Sequence, residues 1–345
     1  MNTSNLRTEI HKGAMKTLKE SYIGADSLTF EMVVDGASEG VCLDLTPLKN
    51  SYGKEFGGVE IDKGKIHISL CLPKFIKEYN IRPFSMTDVF MLKVIKNDIE
   101  TALQRVIKGK IDNRPDVLSA SAKAIECNIT KQVTGQGSCS DVLNLINRSF
   151  TEGTNVVYQR ASLKCKYDKE TESLIIRKRN YYVLKSYNKT LEQRKKGNFD
   201  VENGLLRIET VMQDRTIQKL FGECSTIRAV LTEQGLMKII REYKRIFLED
   251  IIEEHILPCL RDVTEILYSS LTKTDSLTET IALRKELIMD GELLRKALFK
   301  WYKSKGYSRE RAKRNTDTQI CRCQVKYGFP KDAINTLREF KKICE

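Results

Sequence analysis

The chain has 345 residues, 41% of them hydrophobic, so it can bury a sizeable core and form two domains or one large domain with an appendage. Its 59 Lys and Arg residues against 46 Asp and Glu give a net charge of +13, which favours a polyanionic partner such as a nucleic acid. No apolar run is long enough to span a membrane and the first residues form no apolar signal region, so we expect a soluble cytoplasmic protein.

The ten cysteines follow no spacing typical of a disulfide framework. The one closely spaced pair, Cys321 and Cys323, lacks a second pair with which to complete a zinc site. We therefore expect free thiols in a reducing compartment.

Apolar periodicity predicts that the first part of the chain alternates strands and helices. The predicted elements are, in chain order, strands at 28–36, 40–45 and 64–72, a helix at 86–107, a strand at 124–133, a helix at 138–150, and strands at 154–167, 173–189 and 204–213. This order is typical of an α+β fold with a mainly antiparallel sheet and helices on one face. From residue 214 the pattern becomes helical, which predicts an α+β domain over 1–213 and a helical, basic domain over 214–345.

The predicted strands each carry a polar side opposite an apolar side. If helices cover the apolar sides, one open surface gathers Tyr187, Lys189, Arg207, Glu209, Glu126, Asn128 and His67. This set contains a nucleophile, cations that favour an ionised phenol and neutralise phosphate, and carboxylates that can hold a divalent metal. A structural interpretation stays open for each residue: cross-strand ion pairs, solvent-facing polar residues, a surface histidine and a packed tyrosine.

Two regions concentrate the positive charge. Residues 156–197 contain 12 basic and 4 acidic residues, and residues 295–345 contain 15 and 5. In the second region aromatic residues alternate with the basic ones, which suits phosphate contact combined with base stacking. The predicted DNA-binding residues are Lys185, Arg194, Lys195, Lys196, Lys300, Trp301, Lys303, Arg309, Arg311, Lys313 and Arg314. The alternative is a basic helical bundle whose aromatic residues belong to its core.

Four segments together resemble the gene II/X family, the replication initiators of filamentous phages and related plasmids. They are ISLCLPKFIKEYN (68–80), ECNITKQV (126–133), YYVLKSYNKTLE (181–192) and GLLRIETVM (204–212). The resemblance lies within residues 20–225 and rests on LPK followed by Asn80, on Tyr187-x-Lys189-x-x-Glu192, and on the strand containing Arg207 and Glu209.

The resemblance implies a rolling-circle enzyme that nicks one strand of double-stranded DNA at the origin and later rejoins the displaced strand. Tyr187 would form a 5′-phosphotyrosine, with Lys189, Arg207 and Glu209 as the other catalytic residues. Mg²⁺ or Mn²⁺ would be held by Glu209 and Glu126, with Asn128 and His67 as further candidate ligands. Host helicase and polymerase are implied partners, in a bacterial cytoplasm and without a membrane. Because the phosphotyrosyl link conserves the phosphodiester energy, resealing needs no nucleotide cofactor.

One strand departs from the family pattern. Where family members have Arg-Ile-Asp, this chain has Glu126-Cys127-Asn128, which moves the acidic group by two residues. A non-catalytic DNA-binding replication protein of the same fold is therefore the alternative. An RNA-binding protein or a recombinase has no motif of its own in the sequence. The oligomeric state, the origin sequence and a role for a second tyrosine such as Tyr181 stay open.

Overall fold

A computed structural model describes residues 23–33, 42–50, 52–75, 82–108, 115–133, 135–151 and 163–345. Asn80 and the first part of the strand predicted at 154–167 lie outside the described residues.

The N-terminal part of the chain is built on one antiparallel sheet. Its strands are Ile23–Val33 (β1), Leu43–Lys49 (β2), Glu55–Asp62 (β3), Lys65–Cys71 (β4), Ser121–Gln132 (β5), Leu163–Asp168 (β6), Ser173–Lys178 (β7), Tyr182–Asn188 (β8) and Leu205–Met212 (β9). They lie in the order β2-β3-β4-β1-β5-β9-β8-β7-β6. The helices interspersed with these strands are Leu92–Ile107 (α1), Cys139–Thr151 (α2) and Lys189–Lys195 (α3). The predicted α+β class with a helical C-terminal region is confirmed.

Strand β1 lies in the interior of the sheet, and its register contains a bulge. Ala25 pairs with Cys127 of β5, whereas the next paired residue, Leu28, faces Ile125. Asp26 and Ser27 therefore share the space opposite the single residue Glu126, the two-against-one arrangement of a β-bulge. A bulge re-aims side chains, and this one directs Asp26 away from the side that buries Leu28.

The strand predicted at 173–189 is a hairpin. β7 ends at Lys178 and β8 begins at Tyr182, with Asn180 in the left-handed region at φ 63° in the turn between them. Asparagine tolerates this conformation better than most residues. Lys189, predicted to continue the strand, is instead the first residue of α3.

One strand was not predicted at all. β3 contains Gly57 and Gly58, which interrupt the apolar alternation of EFGGVEID. Gly57 is required because a Cβ at this position would overlap the carbonyl oxygen of Ser69 on β4. The close approach of β3 to β4 therefore excludes a side chain at Gly57. Without that side chain, the sequence lacks the alternation from which a strand could be predicted.

Beyond β9 the described chain is helical, as predicted. The helices are Asp214–Phe221 (α4), Ile227–Val230 (α5), Glu233–Arg245 (α6), Leu257–Thr274 (α7), Leu277–Arg284 (α8), Gly291–Ser304 (α9), Arg309–Tyr327 (α10) and Ala333–Cys344 (α11). β9 ends at Met212 and α4 begins at Asp214, which matches the change of character predicted at residue 214.

A wide π-helical segment, Ile246–Ile256, joins α6 to α7. Pro258 follows it at the second position of α7. Proline has no N–H to donate, and its ring clashes with the carbonyl four residues earlier, so a regular α-helical ladder is interrupted here. π-Helical turns are rare and occur frequently at functional sites.

Backbone packing defines two compact units. The first comprises residues 1–131, 176–185 and 207–243, and the second comprises 132–175, 186–206 and 244–345, each as far as it is described. The division into domains at 213 and 214 stays a prediction.

Candidate active site: two polar clusters

The first polar cluster consists of Glu126, Lys185 and Glu209, called here the carboxylate–lysine cluster. Lys185 on β8 donates from Nζ to Glu209 Oε1 at 3.0 Å and to Glu126 Oε1 at 3.3 Å. Glu209 is buried, whereas Glu126 and Lys185 are half-buried. Lys185, predicted to contact DNA, is therefore engaged by two carboxylates within the protein.

The charges of this cluster depend on one another. Burial raises the pKa of Glu126, and the neighbouring Glu209 carboxylate raises it further. Burial alone would lower the pKa of Lys185, but the two carboxylates outweigh it and the pKa is raised. Because one ammonium serves two carboxylates, the cluster retains an affinity for additional positive charge or for a proton.

Arg207 lies in a buried network rather than on an open surface. Its Nη1 donates to Asp26 Oδ2 at 2.9 Å and its Nε donates to Thr130 Oγ1 at 2.8 Å. Asn128 Nδ2 donates to the same Asp26 oxygen at 2.7 Å. Arg207, Asp26 and Asn128 are all buried. The prediction that Arg207, Glu209 and Asn128 face an open flank is thus wrong, because nearly every position of β9 is covered.

Asp26 is the site residue that sequence reasoning missed. Strict alternation places it with Leu28 and Phe30 on the apolar side of β1, and the bulge overrides that placement. The available signal was an acidic residue within an otherwise apolar stretch, since a buried carboxylate requires a partner.

The second polar cluster surrounds Tyr187 at the end of β8. Tyr187 is half-buried, and the Nζ of Lys189 lies 5.7 Å from the centroid of its ring. Lys189 is buried and forms an ion pair with Glu192 at 2.8 Å. This cluster belongs to the second compact unit, whereas Glu126, Lys185 and Glu209 belong to the first.

Helix α3 explains the spacing of the motif Tyr187-x-Lys189-x-x-Glu192. Asn188 caps the helix by accepting a hydrogen bond from the N–H of Leu191 at 3.0 Å. Glu192 stands three residues after Lys189, one turn further along the helix, and also pairs with Lys196. Burial raises the pKa of Glu192, but the hydrogen bonds from Lys189 and Lys196 dominate and lower it to about 2. Glu192 therefore stays ionised and holds Lys189 beside the tyrosine.

The predicted metal ligands do not converge as a set. His67 pairs with Glu31 at 3.5 Å, and Glu31 faces Ser121 of β5. Ser121 lies five residues from Glu126, which is roughly 17 Å along the strand. The Asn128 amide is bonded to Asp26. In the described part of the chain no group of three or more His, Cys, Asp or Glu side chains could hold a metal ion.

Two of the predicted ligands do come together. Glu126 and Glu209 meet at the ammonium of Lys185, so one cation already lies between both carboxylates. Magnesium is commonly bound through one or two carboxylates together with substrate phosphates. Glu126 and Glu209 fit that donor set, whereas Asn128 and His67 do not.

Nine of the eleven predicted DNA-binding side chains are exposed: Arg194, Lys195, Lys196, Lys300, Lys303, Arg309, Arg311, Lys313 and Arg314. The predicted DNA-binding residues of α10 occupy its first two turns, while Ala312, Thr316 and Cys323 form its buried side. The Arg311 guanidinium lies 4.5 Å from the ring centroid of Tyr307, so an aromatic and a cation meet at this surface.

Trp301 corrects the prediction of a stacking residue. Its side chain is 9% exposed and belongs to the core of the helical part. The Nζ of Lys305 lies 4.0 Å from its ring centroid and covers one face. The ring is therefore not available to a base.

Searches with protein-family models and against curated proteins find no match for this chain. Among the described helices, none combines the length and the apolar character needed to cross a bilayer.

Proposed function

We propose that the chain is a DNA strand-transfer endonuclease that nicks and rejoins one strand at a replication origin, with Tyr187 as the nucleophile. The observation that carries this proposal is the position of Tyr187. It lies half-buried at a strand end, with the Lys189 ammonium 5.7 Å from its ring and that ammonium fixed by Glu192. A phenol beside a fixed cation is suited to attack on a phosphodiester.

In the proposed reaction the Tyr187 phenol loses its proton to solvent as its oxygen attacks the scissile phosphorus. The new phosphorus–oxygen bond gives a 5′-phosphotyrosine, the bond to the 3′ oxygen breaks, and that oxygen leaves as a 3′-hydroxyl after taking up a proton. The reverse reaction reseals the strand, so no nucleotide cofactor is required. Lys189 offsets the negative charge that develops on the phosphate.

Mg²⁺ or Mn²⁺ is the proposed cofactor, and Glu126 and Glu209 would hold it. Such an ion, when bound, polarises phosphoryl oxygens. In this proposal Arg207 does not contact the substrate. It positions Glu209 indirectly, because its ion pair with Asp26 fixes the strand that carries Glu209.

DNA is the proposed partner, through the exposed basic residues of α3 and α10, with a bacterial cytoplasm as the setting. The basic residues of α10 are suited to phosphate contacts, which position a protein on DNA without specifying sequence. Host helicase and polymerase would act on the 3′-hydroxyl that the nick creates.

The test is a nicking assay on supercoiled DNA that carries the chain's own gene with its flanking sequence, in the presence of Mg²⁺. Relaxed circles and a covalent protein–DNA adduct are expected from the wild-type chain. Tyr187→Phe should lower adduct formation by more than about 1,000-fold. The matched control is Tyr167→Phe, because Tyr167 is likewise half-buried and lies on β6 of the same sheet. An adduct that persists in Tyr187→Phe would refute the assignment.

Glu209→Gln separates chemistry from folding. We expect loss of nicking with salt-sensitive DNA binding retained, because the substitution removes charge from the carboxylate–lysine cluster and leaves the basic surface of α10 unchanged. Loss of both activities would assign Glu209 a purely structural role.

One observation favours a second candidate, a non-catalytic DNA-binding replication protein. Lys185 already forms ion pairs with both Glu126 and Glu209, as expected of a structural cluster. This candidate predicts DNA binding by the wild-type chain with no adduct under any metal condition.

A further inference from the structure

A groove in the helical part of the second unit has an apolar floor. It runs between α11 and the helix formed by the π-helical segment and α7, and has a volume of about 360 Å³. Ile252, Ile256 and Leu260 follow one another at intervals of four residues on one wall, and Ile334 and Leu337 lie on the other. These five side chains are buried, so the floor is set by the helical core.

The rim of the groove is predominantly basic. Arg261, Lys296, Arg338 and Lys341 line it together with one acidic residue, Glu265. Glu265 is neutralised by Lys300 at 2.5 Å, outside the lining. Lys341 pairs with Glu345, whereas Arg261 and Lys296 form no ion pair with any described residue. The rim therefore presents uncompensated positive charge around an apolar floor.

The π-helical segment helps to form this groove. It contributes Ile252 and Ile256 to the floor, and Leu257, the residue that follows it, stands at the lip with 42% of its surface exposed. Leu257 therefore extends the apolar floor to the solvent-exposed edge of the groove.

We propose that this groove binds an acidic amphipathic helix of a partner protein. The ladder of Ile252, Ile256 and Leu260 presents three apolar side chains four residues apart, a row long enough to face about two turns of a docked helix. Such a helix would insert apolar residues spaced three and four apart into the floor and place Asp or Glu beside the basic rim. The proposal does not depend on strand-transfer activity.

Charge complementarity distinguishes this occupant from the chain's own N-terminal segment. Residues 1–22 contain four Lys or Arg residues and two Glu residues, so their net charge has the same sign as the rim. A fatty acid would match the charge, but an acyl chain requires enclosure, whereas this groove is open at Leu257.

The test uses a short fluorescent helical peptide with leucines at helical spacing and glutamates at the remaining positions, titrated against the full chain at physiological salt. We expect saturable binding that weakens at least tenfold, or about 1.4 kcal/mol, in the Arg261→Glu, Arg338→Glu double variant. Leu257→Asp should weaken it similarly. The matched control is Lys342→Glu, an exposed residue of α11 outside the groove, which should bind as the wild type does.

A charge swap completes the experiment. A peptide with lysine in place of glutamate should bind poorly to the wild type and measurably to the double variant, whose circular dichroism verifies folding. Equal binding of both peptides, or equal effects of Lys342→Glu and the groove substitutions, would overturn the proposal. Displacement of the acidic peptide by micromolar palmitate would overturn it in favour of a lipid site, and displacement by a single-stranded oligonucleotide in favour of a nucleic-acid site.

Discussion

The ion pair between Arg207 and Asp26 in the sheet and the ion pair between Lys300 and Glu265 in the helical part differ in burial and in connectivity. The Arg207–Asp26 pair has side chains that are 1% and 2% exposed and shares its carboxylate with Asn128. The Lys300–Glu265 pair of the helical part has side chains that are 46% and 54% exposed. The first contact is a fixed part of the interior, whereas the second competes with water and salt.

The contrast separates two uses of charge in one basic protein. In the Arg207–Asp26 network, charged residues are placed by strand register and a bulge, and removal of one leaves a buried partner without compensation. In α10, charged residues cover a surface and can be exchanged at little cost. Charge changes in the Arg207–Asp26 network are therefore expected to alter folding, whereas changes among the exposed basic residues of α10 are expected to alter binding.

Arg207→Met provides the strongest test of this comparison. The substitution leaves the Asp26 carboxylate buried without the guanidinium, so the free energy of unfolding should fall by about 3–5 kcal/mol. Urea denaturation at pH 7 measures the loss. Lys300→Met is the control, and breaking its exposed pair should cost less than about 1 kcal/mol.

A double variant distinguishes a buried charge from lost packing. Asp26→Leu combined with Arg207→Met removes both charges and should recover much of the stability lost in Arg207→Met. A double variant as unstable as the single one would mean that packing around Arg207, rather than the unpaired carboxylate, is responsible.

Trp301→Ala tests the boundary between core and surface in the helical part. Removing a buried indole should lower the free energy of unfolding by about 3 kcal/mol, near the lower end for such changes because the ring lies at the edge of the core. As Trp301 is the single tryptophan, its fluorescence also reports on the folded state. Emission that is strongly quenched by an oligonucleotide would instead indicate a ring that stacks on bases.

Glu192→Gln should have the smallest effect of the three, about 1 kcal/mol at pH 7, because Glu192 is half-exposed. The folded pKa of about 2 lies below the ordinary 4.5, so the ionised carboxylate stabilises the fold fully above pH 4.5. That contribution is lost as the pH falls towards 2. The difference in urea midpoint between the wild type and Glu192→Gln should therefore shrink between pH 5 and pH 3.

A constant difference across that range would contradict the role assigned to Glu192. Glu170→Gln is a suitable control, since Glu170 is exposed in the turn between β6 and β7 and its substitution should leave the midpoint unchanged at both pH values.

Regular periodicity predicted most of the secondary structure, because a side chain pattern that repeats every two or 3.6 residues is a local property of the chain. α2, β5 and β9 were predicted to within three residues at each end, whereas α1 begins six residues later than predicted. β3 was missed because Gly57 and Gly58 carry no side chain signal, and the β7–β8 hairpin was missed because its turn depends on one left-handed asparagine.

The candidate site was harder to predict, because its geometry depends on contacts between distant segments. The sequence pointed to Glu126 and Glu209, but their partner Lys185 was assigned to DNA. The alternation of side chains along the strands predicted that Arg207 and Asn128 lie on the polar side of the sheet. It could not reveal that both sides of β9 are buried. The position of the Asp26 side chain depends on a β-bulge, which a single sequence does not reveal.

The chain separation within the Arg207–Asp26 pair has a consequence for biosynthesis. The two residues are 181 positions apart, so at 5–20 residues per second a ribosome adds the arginine about 10 to 35 s after the aspartate. During that interval β1 emerges without the guanidinium that its carboxylate requires. We therefore expect the nascent chain to delay completion of the sheet until β9 has left the ribosome, so that truncated products ending before residue 207 would be recognised by chaperones or proteases.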